Sequence, residues 1–301
     1  MSLLNFCKNV TKIAALVSLC TVTSNANAVI FVTKDKVDGL WEKAYNRNKC
    51  VIIHKVNDWG NVEFITEAAK EKKLKMYLKP TLEFSKNLEI TVREESPSWI
   101  AGVKDVDIAA IKVYKMFDGY ADKEVAWYSL NSLQKGKALS FLYHDTMYYN
   151  NDEVKVLVNP IGFKKVYSEY QTCMNNLFDF SFDDIKYTSL DFVDKSLELS
   201  TYSLEIIDKI TAFFENEKHL IEFNIQIHTD SIGQESENKE LTDRQRNVLK
   251  KLLMDKGFLP KNINIQSVGE ENLAVHDNSE INRRINRRVL MEIKYVDGTG
   301  K

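Results

Sequence analysis

Very little in this 301-residue chain is in excess. Its 41 basic and 43 acidic residues nearly cancel and are scattered, so it lacks the cationic surplus on which nucleic-acid binding draws. Eleven glycines and four prolines beside 44% apolar residues describe a globular composition, without repeats or low-complexity stretches. The five histidines, His54, His144, His219, His228 and His276, never fall in H-x-x-x-H, and no C-x-x-C occurs. No metal site or cofactor is therefore expected. G-x-S-x-G and glycine-rich phosphate loops are missing too. The acid pairs Asp183-Asp184 and Glu270-Glu271 are sequence neighbours whose side chains diverge on a helix or strand, which makes them poor acid/base partners. No enzyme is expected.

The first 28 residues read as an export leader: Lys8 and Lys12, then the apolar run Ile13–Leu19, then Ala26-Asn27-Ala28 as an A-x-A cleavage site. The apolar run is too short to cross a bilayer comfortably, and no later run is longer. A lipoprotein signal would use Cys20, but Leu19 stands where that signal needs a small side chain. The expectation is an exported chain starting near Val29, without a transmembrane segment. Its remaining cysteines, Cys50 and Cys173, most simply form one disulfide in an oxidising compartment. The alternative is two buried free thiols. Closing so long a loop would contribute roughly 3–5 kcal/mol.

The fold class expected is α+β. Leu88–Val92, Ile108–Phe117, Phe141–Tyr149 and Glu153–Val158 read as strands, Val125–Leu133 as a short helix and 163–180 as a long one with Cys173 on its buried face. Residues 29–190 are thus expected to form a mainly antiparallel β domain with two helices. Beyond residue 190 the pattern alternates: a helix over Ser200–Phe214 with apolar residues at 204, 207, 210 and 214, a strand over 221–228 and a helix over Leu241–Leu253. Strands over Ile263–Val268 and Val289–Tyr295 come after these. Residues 191–296 are expected to form a compact sheet covered by helices, leaving 297–301 as a tail.

The strand ending in Ile227-His228-Thr229-Asp230-Ser231-Ile232-Gly233 stops abruptly in a polar cluster. On the next helix Gln245 falls at ~40° from Leu241, between Leu252 at ~20° and Leu249 at ~80°, so a polar side chain points inward. Capping of a local backbone group is the simpler role for it. Arg244 and Arg246 flank that arc, and Arg283, Arg284, Arg287 and Arg288 lead into the last strand.

Thr229-Asp230-x-x-Gly233, Asn238-x-x-Leu241-Thr242, Gly269-Glu270 and Asn286-Arg287-Arg288-Val289, in that order, resemble the OmpA-like peptidoglycan-binding family over residues 200–295. That resemblance implies an α/β sandwich of βαβαβ type over residues 191–296, that Asp230 receives the ammonium of diaminopimelate in the stem peptide and that Arg287 or Arg288 supports the site. A zwitterion calls for an acid and a base on rigid elements, joined by charge-assisted hydrogen bonds. The family's helix arginine is Gln245 here, without charge or guanidinium fork, so either Arg244 or Arg246 reaches round or binding is weaker. The weakening would be on the order of 1–2 kcal/mol. Ile227 stands where members often have glycine.

Phe117-Asp118-Gly119-Tyr120, Ala126-Trp127, Lys135-Gly136, Cys173-x-Asn175-Asn176-Leu177 and Phe180–Ile185 resemble the amino-terminal domain of the MotY family of flagellar T-ring proteins. Cys50 falls where that family has its first cysteine. The resemblance implies a periplasmic protein near the outer membrane, whose amino-terminal domain docks on the basal body and a MotX-like partner. Its carboxy-terminal domain would tie the ring to peptidoglycan so that stator proteins assemble. Two other readings stand beside it: a general cell-envelope anchor unconnected with the flagellum, and a periplasmic cell-wall hydrolase.

Overall fold

The computed structural model describes residues 28–31, 41–97, 102–149, 152–215 and 220–296. Apart from Ala28, the expected leader lies outside the described residues, as do the tail and His219.

Strands β1 (Ala28–Phe31), β2 (Trp41–Tyr45), β3 (Lys49–Val56), β4 (Gly60–Glu67), β5 (Lys73–Pro80), β6 (Leu88–Glu95), β7 (Val106–Val113) and β8 (Gly119–Ala121) come first. Helix α1 (Lys123–Gln134), β9 (Ala138–His144), β10 (Glu153–Val158) and α2 (Phe163–Asn176) complete the amino-terminal half. Two five-stranded sheets result, in the orders β2-β3-β4-β5-β8 and β1-β10-β9-β6-β7. All pairings are antiparallel except β1 with β10. Period-two alternation fills the core from both sheets: Ile52, Val62, Phe64, Met76 and Leu78 from one, Ile90, Val92, Phe141, Val154 and Val156 from the other. At the β3–β4 turn Gly60 has φ +140°, and a Cβ there would lie 2.1 Å from the Lys79 carbonyl oxygen, so only glycine fits.

Helix α2 buries Phe163, Val166, Tyr167, Tyr170 and Met174, and Cys173, half-buried at the edge of that stripe, is disulfide-bonded to Cys50 of β3. Three expected elements end early. β7 stops at Val113, where Phe117 N–H donates to the Tyr114 carbonyl in a turn. β9 stops at His144, because the Asp145 carboxylate accepts from Ser85 and from Met147 N–H and starts a turn. α2 ends at Asn176, where Leu177 turns extended and Phe178 N–H donates to the Arg47 carbonyl. The hairpins of β2 to β5 were not among the expected strands.

The carboxy-terminal half comprises α3 (Phe182–Ile185), β11 (Tyr187–Leu190), α4 (Thr201–Phe214), β12 (Leu220–His228), α5 (Glu235–Asp255), β13 (Ile263–Gly269), α6 (Glu280–Asn286) and β14 (Val289–Val296). The sheet order is β11-β14-β12-β13, with β12 and β13 parallel and the other pairs antiparallel. This is the βαβαβ arrangement, with α4 added. The expected division at residue 190 falls just after β11, which pairs with β14. Helix α4 packs Ile207, Ile210, Phe213 and Phe214 inward, but Leu204 is exposed, contrary to the spacing. Ser203 takes the inward place, its hydroxyl bonded to Asp191. Helix α5 starts at Glu235, six residues before Leu241, behind a capping box of Gln234 and Glu237.

Rings of Phe178, Phe180, Phe182, Phe213, Phe214 and Tyr295 join the halves, the tightest pair being Phe182 and Tyr295 at 4.5 Å. Beside them the Asn48 amide, just before β3, donates to the Phe213 carbonyl at 2.7 Å. No helix among the described residues is long and apolar enough to cross a membrane.

Candidate functional site

Strand β12 leaves the sheet through an irregularity. Its pairing with β13 shifts register between Ile227 and His228, which bends the strand end and re-aims Thr229 and Asp230. His228 N–H donates to the Arg288 carbonyl and Thr229 N–H to the Gly269 carbonyl, so the departing chain is held on both sides. The next residue, Asp230, is fully buried.

A buried carboxylate needs partners for both oxygens. Oδ1 of Asp230 accepts from Ile232 N–H at 3.2 Å and lies 3.0 Å from the Lys195 ammonium. Oδ2 accepts from Arg287 Nη1 at 2.5 Å. The backbone carbonyl of Asp230 accepts from the Asn238 amide, which also donates to Glu270 at 2.7 Å. Gly233, at φ +118°, gives the backbone the left-handed turn that opens α5.

Arg287 sits where α6 ends and β14 begins, and bridges three acids. Besides Asp230 it donates to Glu280 at 2.7 Å and lies 3.8 Å from Asp194. Burial pulls its pKa down, but hydrogen bonds to Glu280 and Asp230 outweigh that and hold it above the ordinary value. Asn286, fully buried, positions this corner: its side-chain Oδ1 accepts from Ala274 and Val275 N–H, and its side-chain amide donates to the Val275 carbonyl. Asp277 reaches back from the same loop to accept from Ser231.

The other expected site residues separate. Arg288 turns to the carbonyls of Asn286 and Asn272, and burial lowers its pKa. Arg244 and Arg246 pair with Glu240 and Asp243 on their own helix. Gln245 is buried as the helical wheel requires, and its amide donates to the Ser196 carbonyl at 2.9 Å. Thr229 Oγ1 and His228 Nε2 are buried without a hydrogen-bond partner. Burial, and next the Arg288 charge, lower the His228 pKa against a hydrogen bond to the Glu271 carbonyl. Among the described residues no group of three or more His, Cys, Asp or Glu is placed to hold a metal ion.

Lys195, Asp194, Ser196 and Glu280 were not anticipated. Their segments show no periodicity, and a lone lysine in Asp191–Ser200 carries no sequence signal of its partner.

A family model described as the MotY N-terminal domain matches residues 34–178, and one described as the OmpA family matches residues 192–287. The sodium-type flagellar protein MotY of Vibrio parahaemolyticus is 25% identical over 254 residues, covering 84% of this chain and 86% of that protein. Among solved structures, the peptidoglycan-associated lipoprotein of Burkholderia pseudomallei aligns with 35% of this chain and 89% of its own, at 18% identity and a TM-score of 0.33. The periplasmic domain of Helicobacter pylori MotB aligns with 38% of this chain and 75% of its own, at 20% identity and a TM-score of 0.32. The chain is thus similar to a MotY-type amino-terminal domain over residues 34–178 and to an OmpA-type domain over residues 192–287.

Proposed function

We propose that this chain is a non-catalytic, structural component of the flagellar motor that ties the basal body to peptidoglycan. The flagellar part rests on the paired domain matches and on the similarity to a flagellar protein along most of both chains. The cell-wall part rests on one observation above all: a buried carboxylate and a guanidinium, Asp230 and Arg287, face each other at the rim of an OmpA-family sheet. Such a pair suits a zwitterion such as diaminopimelate, whose ammonium the acid receives and whose carboxylate the base attracts. In this reading Thr229, Gly233, Asn238 and Gln245 shape the site, and Arg288 braces its floor. The chain works in the periplasm as part of the T ring, with its amino-terminal domain on the basal body and a MotX-like partner. Stator proteins then assemble around the anchored ring.

Removal of the gene should leave filaments assembled but abolish swimming, and the protein should co-purify with basal bodies. Normal swimming in the deletion strain would sink the motor reading. Absence from basal bodies, with retention on cell walls, would favour a general envelope anchor.

A further inference from the structure

The connector between β11 and α4 is folded back on itself. Phe192 and Leu199 form an antiparallel bridge and are both buried, and Val193 N–H donates to the Glu198 carbonyl at 2.7 Å. The Asp191 carboxylate accepts from Ser200 and Ser203, fixing the base of this loop to the start of α4. At the tip Asp194 adopts φ +48°, a left-handed conformation that aspartate tolerates at modest cost. Three consecutive tip residues then meet the site.

Each tip group matches one site residue in chemical kind. The Lys195 ammonium lies 3.0 Å from Asp230 Oδ1 and donates to the Ile232 carbonyl at 2.7 Å. The Asp194 carboxylate lies 3.8 Å from Arg287, and the Ser196 carbonyl accepts from Gln245. An ammonium on the acid and a carboxylate near the base are the two ends of a zwitterion, here supplied by the chain itself. Beneath the tip the cleft lined by Phe192, Lys195, His228, Thr229, Gln245 and Arg287 has about 10 Å³ of free space, no more than one water needs. The buried Thr229 Oγ1 and His228 Nε2 there lack partners.

We infer that the Asp194-Lys195-Ser196 tip is an internal competitor that occupies the zwitterion site and must swing out before peptidoglycan binds. This rests on the reading of Asp230 as the ammonium acceptor and adds its regulation. The Lys195 side chain is 37% exposed and that of Asp194 79%. Both reach buried partners from the solvent side, so a ligand's ammonium and carboxylate can replace them without leaving the buried acid unpaired. The observed affinity is the intrinsic one scaled by the fraction of molecules with the tip out.

Co-sedimentation of the mature chain with purified diaminopimelate-type sacculi tests this, using wild type, Lys195→Met, Lys195→Ala, Asp230→Ala and the Lys195→Met/Asp230→Ala double variant. Both Lys195 variants should bind at least ~5-fold more tightly than wild type, through a larger open fraction, while remaining folded by circular dichroism at the assay temperature. Both chains carrying Asp230→Ala should fail to bind. If the Lys195 variants bind no better than wild type while Asp230→Ala still abolishes binding, the competitor is refuted and the Asp230 site survives. If all chains bind alike, or none binds, the Asp230 reading falls and the competitor with it.

Discussion

The amino-terminal half closes its core with aromatic rings and one covalent bond, whereas the carboxy-terminal half closes the rim of its sheet with charges. In the first, Phe64, Phe141, Phe163 and Tyr170 are fully buried in the core that also holds Cys50, which is bonded to Cys173 at its edge. Tyr170 finds a hydroxyl partner in Thr66 at 2.6 Å, so its polar tip is satisfied without a charge. In the second, the most buried polar side chains are Ser203, Asp230, Thr242 and Asn286, and the acid is held by two cations from two other segments. Hydrophobic packing and a disulfide make a half that keeps its shape. Buried charges that satisfy each other make a rim able to exchange partners, because an ammonium from outside can take the place of one from within.

Severing the covalent closure should have the largest effect. The bond spans 123 residues, so a Cys50→Ala/Cys173→Ala chain should lose about 4–5 kcal/mol of stability through the freed unfolded chain. Thermal denaturation followed by circular dichroism would measure this, and sacculus binding at low temperature should be retained. A loss of binding equal to the loss of stability would mean that the halves do not divide these roles.

Breaking the charged rim comes next. Arg287→Met leaves Asp230 fully buried with Lys195 as its remaining ion-pair partner. It should cost about 3 kcal/mol in urea unfolding, since a buried charge loses half its compensation. The disulfide should be unaffected. A cost below ~0.5 kcal/mol would place this pair with weak surface bridges.

The smallest effect concerns His228. Its pKa is lowered from the ordinary 6.5 by burial and by Arg288, so in a window below that value the unfolded chain binds more protons than the folded one. The stability it allows is therefore complete above about pH 6.5 and falls as pH drops through the window. His228→Gln should lose less stability than wild type between about pH 7 and 5 in matched denaturant titrations. Equal slopes would mean that His228 is protonated as easily when folded as when unfolded.

The carboxy-terminal half was the more legible in sequence. The alternation of Phe223, Ile225 and Ile227 and the stripe around Leu249 repeat with clear periods, and both became the elements expected. The inward turn of Gln245 could also be counted from the helix alone. Boundaries were less legible, because they are set by single long-range bonds: Phe178 to Arg47 ends α2, and Asp145 to Ser85 ends β9. The occupant of the site was not legible at all. Lys195 reaches Asp230 only because the connector reverses at Asp194 and is clamped by Phe192 and Leu199, a geometry without a repeating pattern. Helix α6 was missed for a similar reason. Its seven residues, five of them polar or charged beside two isoleucines, give too few turns for a stripe to emerge.

The central claim is that the buried carboxylate of Asp230 is the ammonium acceptor for the cell-wall stem peptide. Titrating a soluble diaminopimelate-containing muropeptide into wild type and Asp230→Asn, by calorimetry at low and moderate salt, tests it directly. The expected result is saturable binding to wild type that weakens as salt rises, and at least ~10-fold weaker binding to Asp230→Asn, from loss of a charge-assisted hydrogen bond. Equal affinity of the two chains would contradict it.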